Sequence, residues 1–279
     1  MDSPAVALPD GDRMPVVGFG TGGLHGDELG DAVSTALEAG YTRFDTAEGY
    51  GNENALGDAL ADADRSELFL TSKVLPSNLD YESLIGACEA SLDRLGTDYL
   101  DLYLIHWPNP AVSLRESLDA MATLRDRGLV RNVGVSNFSA YQLSCAQHVS
   151  DVPIAVNQIE FHPWHQQPDV VEYCEESGVV VDAAAPLART QVFDDDMIRE
   201  LAATYDRSPG QIVLKWALER GATVIPQSTD PGHVRENATL FDWELSADDC
   251  RRIDERDRSR SVYNLAPTDW SNETFGIAR

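Results

Sequence analysis

Lysine is almost missing from this chain. Two residues, Lys73 and Lys215, stand against 47 acidic side chains, and the formal charge is −26. Such a field repels nucleic acid and anionic membrane surfaces, and no basic stripe offsets it; the expected partner is a small molecule. No run of about 18 apolar residues is present, so no membrane-spanning helix is expected. Cys88, Cys145, Cys174 and Cys250 are widely spaced without a CxxC pair, which argues against a disulfide or metal framework and for a reducing compartment. The opening Met1-Asp-Ser-Pro lacks a basic segment followed by an apolar one, so a cytoplasmic location is expected. HExxH, GxSxG and P-loop motifs are all missing, which removes support for a zinc protease, a serine hydrolase or an ATPase. Neither an internal repeat nor a low-complexity linker divides the chain, and residues 1–279 read as a single domain.

What is present is dispersed acidity between ordinary apolar runs. Carboxylates gather at 58–64, 172–176, 194–196 and 248–257, yet 43% of the chain is hydrophobic, enough to build a core. Self-repulsion on this scale weakens a compact state at low ionic strength. At roughly 1 M salt the Debye length is about 3 Å and most of it is screened. Depleted lysine with dispersed carboxylates therefore suggests a halophile-like protein adapted to molar salt.

Short β-rich runs alternate with helical periodicity. Strands are expected at 16–21, 42–47, 68–73, 100–106, 133–136, 155–160, 179–184 and 223–226. Helices are expected near 28–39, 52–62, 81–95, 113–127, 139–148, 168–177, 196–205 and 209–220, with another from Pro231 and an extra one within 245–258. In the third of these, Leu84, Ile85, Cys88, Leu92 and Leu95 share a face, Glu82, Glu89 and Asp93 point outward, and Gly96 stops the helix. This alternation at this length fits an α/β fold, a (β/α)8 TIM barrel, better than an open sheet. Pro9-Asp-Gly-Asp12 predicts a small N-terminal β-hairpin. A C-terminal tail from 259 has no clear period and can either cross the barrel mouth or lie on the surface.

In a parallel barrel, chemistry sits at the C-terminal strand ends. Asp45, Lys73 and His106 end three successive strand candidates, and Tyr50 follows Asp45 by five residues. A nearby ammonium stabilises a phenolate, and is expected to lower Tyr50 from its ordinary value of about 10. Asp45 would keep Lys73 charged, Tyr50 would give a proton to a carbonyl oxygen, and His106 would donate to that oxygen or orient the substrate. Taken singly, each has a plainer role: a buried ion pair, a packing aromatic, a core-edge histidine. Spacing alone also permits other proton transfers or hydrolysis. His162 and His165 flank Trp164 without a completing ligand cluster, and metal binding is not expected.

These residues lie in motifs that resemble the aldo-keto reductase family. They are Gly18-Phe-Gly-Thr-Gly22, Phe44-Asp-Thr-Ala-Glu-Gly-Tyr-Gly-Asn-Glu53, Thr71-Ser-Lys73 and Leu100-Asp-Leu-Tyr-Leu-Ile-His-Trp-Pro108. The resemblance runs on through Gly134-Val-Ser-Asn-Phe138, Asn157-Gln-Ile-Glu-Phe-His-Pro163, Ala185-Pro-Leu187, Val224-Ile-Pro-Gln-Ser228 and Glu236-Asn237. It implies a reductase, similar to prokaryotic aldehyde and diketo-acid reductases, that binds NADH or NADPH without a Rossmann domain. Asp45, Tyr50, Lys73 and His106 match the family's catalytic tetrad. Ser136, Asn137 and Gln158 would meet the nicotinamide carboxamide; Ser228, Glu236 and Asn237 would hold the adenosine end. Gly20, Thr21, Ala184, Leu187, Gln227, Thr229 and His233 complete the expected cofactor site. Gly22, Trp107 and Trp164 join Tyr50 and His106 around the substrate.

Three departures qualify the resemblance. Ala184 stands where an aromatic residue commonly stacks on the nicotinamide, and Gly22 where a tryptophan often narrows the pocket. Gln227 and His233 replace the lysine and arginine often found in NADP-preferring members, with Asp230 nearby. The expectation is that NADH is favoured, with Arg235 the main objection. The leading function is reduction of an aldehyde or ketone to an alcohol. A noncatalytic nucleotide-sensing protein on the same fold and a sugar or alcohol dehydrogenase working oxidatively are the alternatives. A monomer is the expected state.

Overall fold

The structure is a computed structural model and describes residues 4–263. Its first element is the expected hairpin, β1 (Ala5–Ala7) against β2 (Arg13–Pro15), paired antiparallel with Val6 opposite Met14. Gly11 takes φ 92° at the turn, a backbone conformation glycine adopts without cost. Leu8 and Met14 are buried and pack with Phe69, Leu102, Leu104, Ala155 and Val156. The hairpin therefore closes one end of the barrel with apolar side chains.

Eight parallel strands follow, ordered along the sheet as they occur in the chain: β3 (Phe19–Gly20), β4 (Arg43–Asp45), β5 (Phe69–Val74), β6 (Leu100–Ile105), β7 (Val130–Ser136), β8 (Ile154–Glu160), β9 (Val180–Ala184) and β10 (Thr223–Val224). The first and last meet. Val17 bridges Val224 in parallel, and the Gly18 amide donates to the Val224 carbonyl at 2.8 Å. The seam is shorter than the sequence suggests, because Pro226 has no N–H to extend the ladder. Gly20 is needed here for a different reason: a Cβ would lie 2.8 Å from the Ile225 carbonyl oxygen.

The helices on the outside are α1 (Gly26–Glu38), α2 (Glu53–Leu60), α3 (Tyr81–Leu95), α4 (Leu114–Asp126), α5 (Ala140–Val149), α6 (Pro168–Ser177), α7 (Asp196–Tyr205), α8 (Pro209–Glu219), α9 (Pro231–Ala238) and α10 (Ala247–Asp254). In α3 the side chain of Asp80 accepts from the Ser83 amide at the start, and Gly96 takes φ 64° at the end. Its Leu84, Cys88, Leu92 and Leu95 are buried against the sheet, as the periodicity predicts.

Alternation along the strands decides where the chemistry sits. One face of β5 carries Phe69, Thr71 and Lys73, and β6 continues Leu102, Leu104 and then His106. The neighbouring residues Leu70, Val74, Tyr103 and Ile105 join the outer core under the helices. By the same parity Arg43 lies one level below Asp45, and Asp182 one level below Ala184. The barrel interior thus runs from an apolar floor through a charged middle layer to the polar ends of the strands.

Candidate active site

Lys73 organises the mouth. Its side chain is fully buried, and Nζ donates to Asp45 Oδ1 at 2.5 Å, to the Thr46 carbonyl at 2.9 Å and to Tyr50 Oη at 3.2 Å. An ammonium has three N–H groups, and all three are used. Tyr50 ends a 3₁₀ turn, Glu48–Tyr50, that sequence periodicity does not reveal. Two residues hold that turn. Asn52 accepts from Thr46 Oγ1 at 2.8 Å and donates to the Thr21 and Leu24 carbonyls. Glu48 accepts from the Leu75 amide and from Asn78 Nδ2, at 2.9 and 2.7 Å. His106 meets Tyr50 edge-on, with ring centroids 5.6 Å apart.

Burial sets the proton states here. It pushes the Tyr50 phenol above its ordinary value despite the nearby Lys73 ammonium. The expectation of a lowered Tyr50 is therefore corrected: an aqueous ion-pair argument omits the desolvation of the phenolate. Burial also works against the Lys73 charge, but Asp45 and Tyr50 outweigh it and hold the ammonium above its ordinary value. Asp45 is pushed up by burial, against the pull of Lys73. For this coupled pair the ammonium–carboxylate form fits the geometry, since only a charged Nζ can serve all three acceptors. His106 falls to about 3 through burial, with Lys73 adding to the effect, and is neutral.

Asp45, Tyr50 and His106 face a cavity of about 640 Å³, with Lys73 behind them outside the lining, and the volume is within the size range of small-molecule sites. Of the expected residues, Gly20, Gly22, Asp45, Tyr50, His106, Trp107, Ser136, Asn137, Gln158, Ala184, Leu187 and Gln227 line it. Asn137 sits at φ 61°, and its Nδ2 donates to the His106 carbonyl and to Ser136 Oγ, at 3.0 and 2.9 Å. Ser136 Oγ in turn donates to the Gln158 carbonyl at 2.8 Å. Gln158 Nε2 donates to Asp45 Oδ2 and to Asp182 Oδ2, both at 2.8 Å.

Other expected residues lie elsewhere. Thr21 is buried and bonds the Asp45 backbone through both Oγ1 and its amide. Trp164, expected as a substrate wall, is buried away from the cavity lining. Its carbonyl accepts from the Arg258 and Arg260 amides, and both guanidinium groups cover its ring. Its indole anchors the start of the tail instead. Ser228 Oγ accepts from the Asp230 amide at 3.1 Å. Asp230 caps α9, accepting from the Gly232 and His233 amides, while Thr229, His233, Glu236 and Asn237 lie beyond the lining. Arg235 pairs with Glu38 at 3.4 Å.

Sequence reasoning misses Tyr263, Arg189 and Thr190, which also line the cavity. The tail reaches the mouth because Glu160 accepts from the Val262 amide at 2.6 Å and from Ser261 Oγ at 2.5 Å. The remainder of the expected tail, 264–279, lies outside the described residues. Arg189 and Thr190 follow β9 with φ 50° and 67°, and no local sequence period marks them. His162 instead bonds Glu160 at 2.8 Å. Among the described residues no group of three or more His, Cys, Asp and Glu is arranged to hold a metal ion, and no helix is long and apolar enough to cross a membrane.

Known proteins are similar to this chain in sequence and fold. Residues 16–258 match the aldo/keto reductase family. The uncharacterized oxidoreductase YtbE of Bacillus subtilis is 41% identical over 254 residues, covering 88% of this chain and 90% of that protein. An aldo-keto reductase from Bombyx mori, solved in complex with NADP, aligns over 97% of both chains with a TM-score of 0.89 at 34% identity. An aldo/keto reductase from Brucella melitensis aligns with a TM-score of 0.87 at 38% identity, over 91% of this chain and all of that one. The chain belongs to the aldo/keto reductase family and is an NAD(P)H-dependent oxidoreductase.

Proposed function

We propose that the protein reduces an aldehyde or ketone to the alcohol, with Tyr50 as proton donor and NADH as the favoured cofactor. The observation that carries this reading is the use of all three Lys73 donors on Asp45, Thr46 and Tyr50. Tyr50 Oη accepts from Lys73, so its own proton is available to a carbonyl oxygen in the cavity. Once that proton leaves, the ammonium stabilises the phenolate, and Asp45 balances the ammonium. Neutral His106 can donate one N–H to the same oxygen and align it. The nicotinamide cofactor, when bound, supplies the hydride.

The residues present fit that cofactor. Ser136, Asn137 and Gln158 offer polar groups for a carboxamide. Gly20 and Leu187 line the adjoining wall, and Gln227, Ser228, Thr229, Glu236 and Asn237 are assigned to the adenosine end. Ala184 leaves one face open, and the aromatic wall it lacks is assigned to Tyr263. The preference for NADH rests on Gln227, which hydrogen-bonds but brings no charge, and on Arg235, which is turned to Glu38. His233 lies 4.0 Å from Asp230.

The finer setting belongs to the same proposal: a relative of prokaryotic aldehyde and diketo-acid reductases, working in a cytoplasm rich in salt. Its support is the charge of −26 and the burial of both lysines. A monomer is supported by the surface. Among the described residues the exposed large hydrophobics are Tyr141 and Phe241, which do not make the extended apolar face of an obligate dimer.

The test is oxidation of NADH and NADPH in molar KCl with an aldehyde, keto-sugar and keto-acid panel, alongside Tyr50→Phe. Tyr50→Phe is expected to slow turnover by about 10²–10⁴-fold while cofactor binding is kept. A variant as fast as the parent would sink the proton-donor role, and strong NADPH preference would sink the reading of Gln227.

A further inference from the structure

The charged middle layer of the barrel, Arg43 and Asp182, lies outside the cavity lining. Arg43 and Asp182 are fully buried and pair at 2.6 Å across the interior. Asp182 Oδ1 also accepts from Thr223 Oγ1 at 2.6 Å. The Arg43 stem passes beside Gly18, where a Cβ would lie 2.9 Å from its Cγ and Cδ. A buried ion pair is weak ground for stability by itself. A positional role is the better explanation, and Gln158 supplies it.

Gln158 and Asp182 are register partners on β8 and β9. The amide nitrogen of Gln158 carries two hydrogens, and both are spent, one on Asp45 Oδ2 and one on Asp182 Oδ2 at 2.8 Å each. Turning the amide over would set Oε1 against two carboxylate oxygens at the same distance, which is repulsive. Asp45 alone holds the amide by one bond and is shared with Lys73; Asp182 adds the second. With the nitrogen so committed, the atom Gln158 leaves for a ligand is Oε1, which accepts and cannot donate.

We propose that Asp182 is a positioning residue: together with Asp45 it locks the Gln158 amide so that the cavity meets an acceptor, and the site thereby selects a cofactor ring substituent that carries N–H donors. The inference rests on the reading of Gln158 as a carboxamide contact. A nicotinamide carboxamide has such donors; an acetyl group in its place has none.

The probe pair is NADH and its 3-acetylpyridine analogue, with dissociation constants measured by quenching of protein fluorescence in molar KCl. The folded wild type is expected to bind NADH at least tenfold more tightly than the analogue. In Asp182→Asn the Gln158 amide is free to turn, and that ratio should fall at least tenfold. Asp182→Asn leaves Arg43 without its partner, so the double variant Arg43→Met/Asp182→Asn, which removes both charges, is measured beside it. Asp182→Glu, which keeps a carboxylate, should restore most of the discrimination. A purely structural role would weaken both cofactors alike and leave the ratio unchanged; that result in a folded variant overturns the proposal, as does a wild type that does not discriminate. Discrimination that depends on Asp182 in a protein without carbonyl turnover would uphold the positioning role and refute the proposed reaction instead.

Discussion

Lowering the pH from about 7.5 to about 5 is expected to cost the protein about 2 kcal/mol through His106 alone. The histidine is half-buried at the cavity wall, and desolvation brings it to about 3 in the folded chain, against an ordinary value of 6.5. Between those values the unfolded chain binds a proton that the native state refuses, so stability is intact above the unfolded value and is lost as pH falls toward the folded one. At about pH 5 the unfolded imidazole is protonated roughly 30 to 1, which converts to about 2 kcal/mol. The assay is urea unfolding of wild type and His106→Asn at both pH values, in molar KCl so that the acidic surface is screened alike. Carboxylates such as Asp45 contribute to both proteins and cancel in the comparison. The wild type should lose about 2 kcal/mol more than the variant. Equal losses would refute the neutral, desolvated His106 on which the proposed role of its N–H depends.

Two further outcomes follow from the same geometry. Gln227→Lys places an ammonium at the exposed end of the cavity and should shift the NADPH-to-NADH ratio of kcat/KM roughly tenfold toward NADPH, consistent with one charge-assisted phosphate contact; an unchanged ratio would show that the position does not meet the ribose end. Because burial raises Tyr50 above its ordinary 10.0, the donor is protonated below its folded value and lost as pH rises through it. Reduction should be level across the neutral range and fall only in alkaline solution, and a limb near neutrality attributable to Tyr50 would contradict the burial argument.

The barrel is legible because each strand and helix carries its own period, and because Asp45, Lys73 and His106 end successive apolar runs. The helix expected at 81–95 spans Tyr81–Leu95, since both its apolar face and its stop at Gly96 are local. The same locality explains what is hidden. Arg43 and Asp182 are 139 residues apart, and nothing in either neighbourhood announces the other. The sequence around Trp164 points to the pocket; its position is decided by Arg258 and Arg260, which come from beyond α10. The direction of the Tyr50 shift is invisible for a related reason: proximity to a lysine can be read from a motif, whereas the loss of solvent around the phenol depends on the closed barrel.

The burial of both lysines has a chemical consequence for a protein that handles carbonyls. Aldehydes condense with unprotonated primary amines to give imines, and the surface ammonium groups of ordinary enzymes are in equilibrium with a small fraction of that reactive form. Here Lys73 is held as an ammonium inside the barrel, and Lys215 is 8% exposed, with Nζ 3.2 Å from Glu219 and set over the Trp243 ring. No other lysine occurs in the chain. The enzyme therefore offers its own substrates almost no side-chain amine to modify. Scarcity of lysine thus leaves a catalyst whose side chains are hard for its reactants to adduct, and equally hard to label or cross-link with amine-directed reagents.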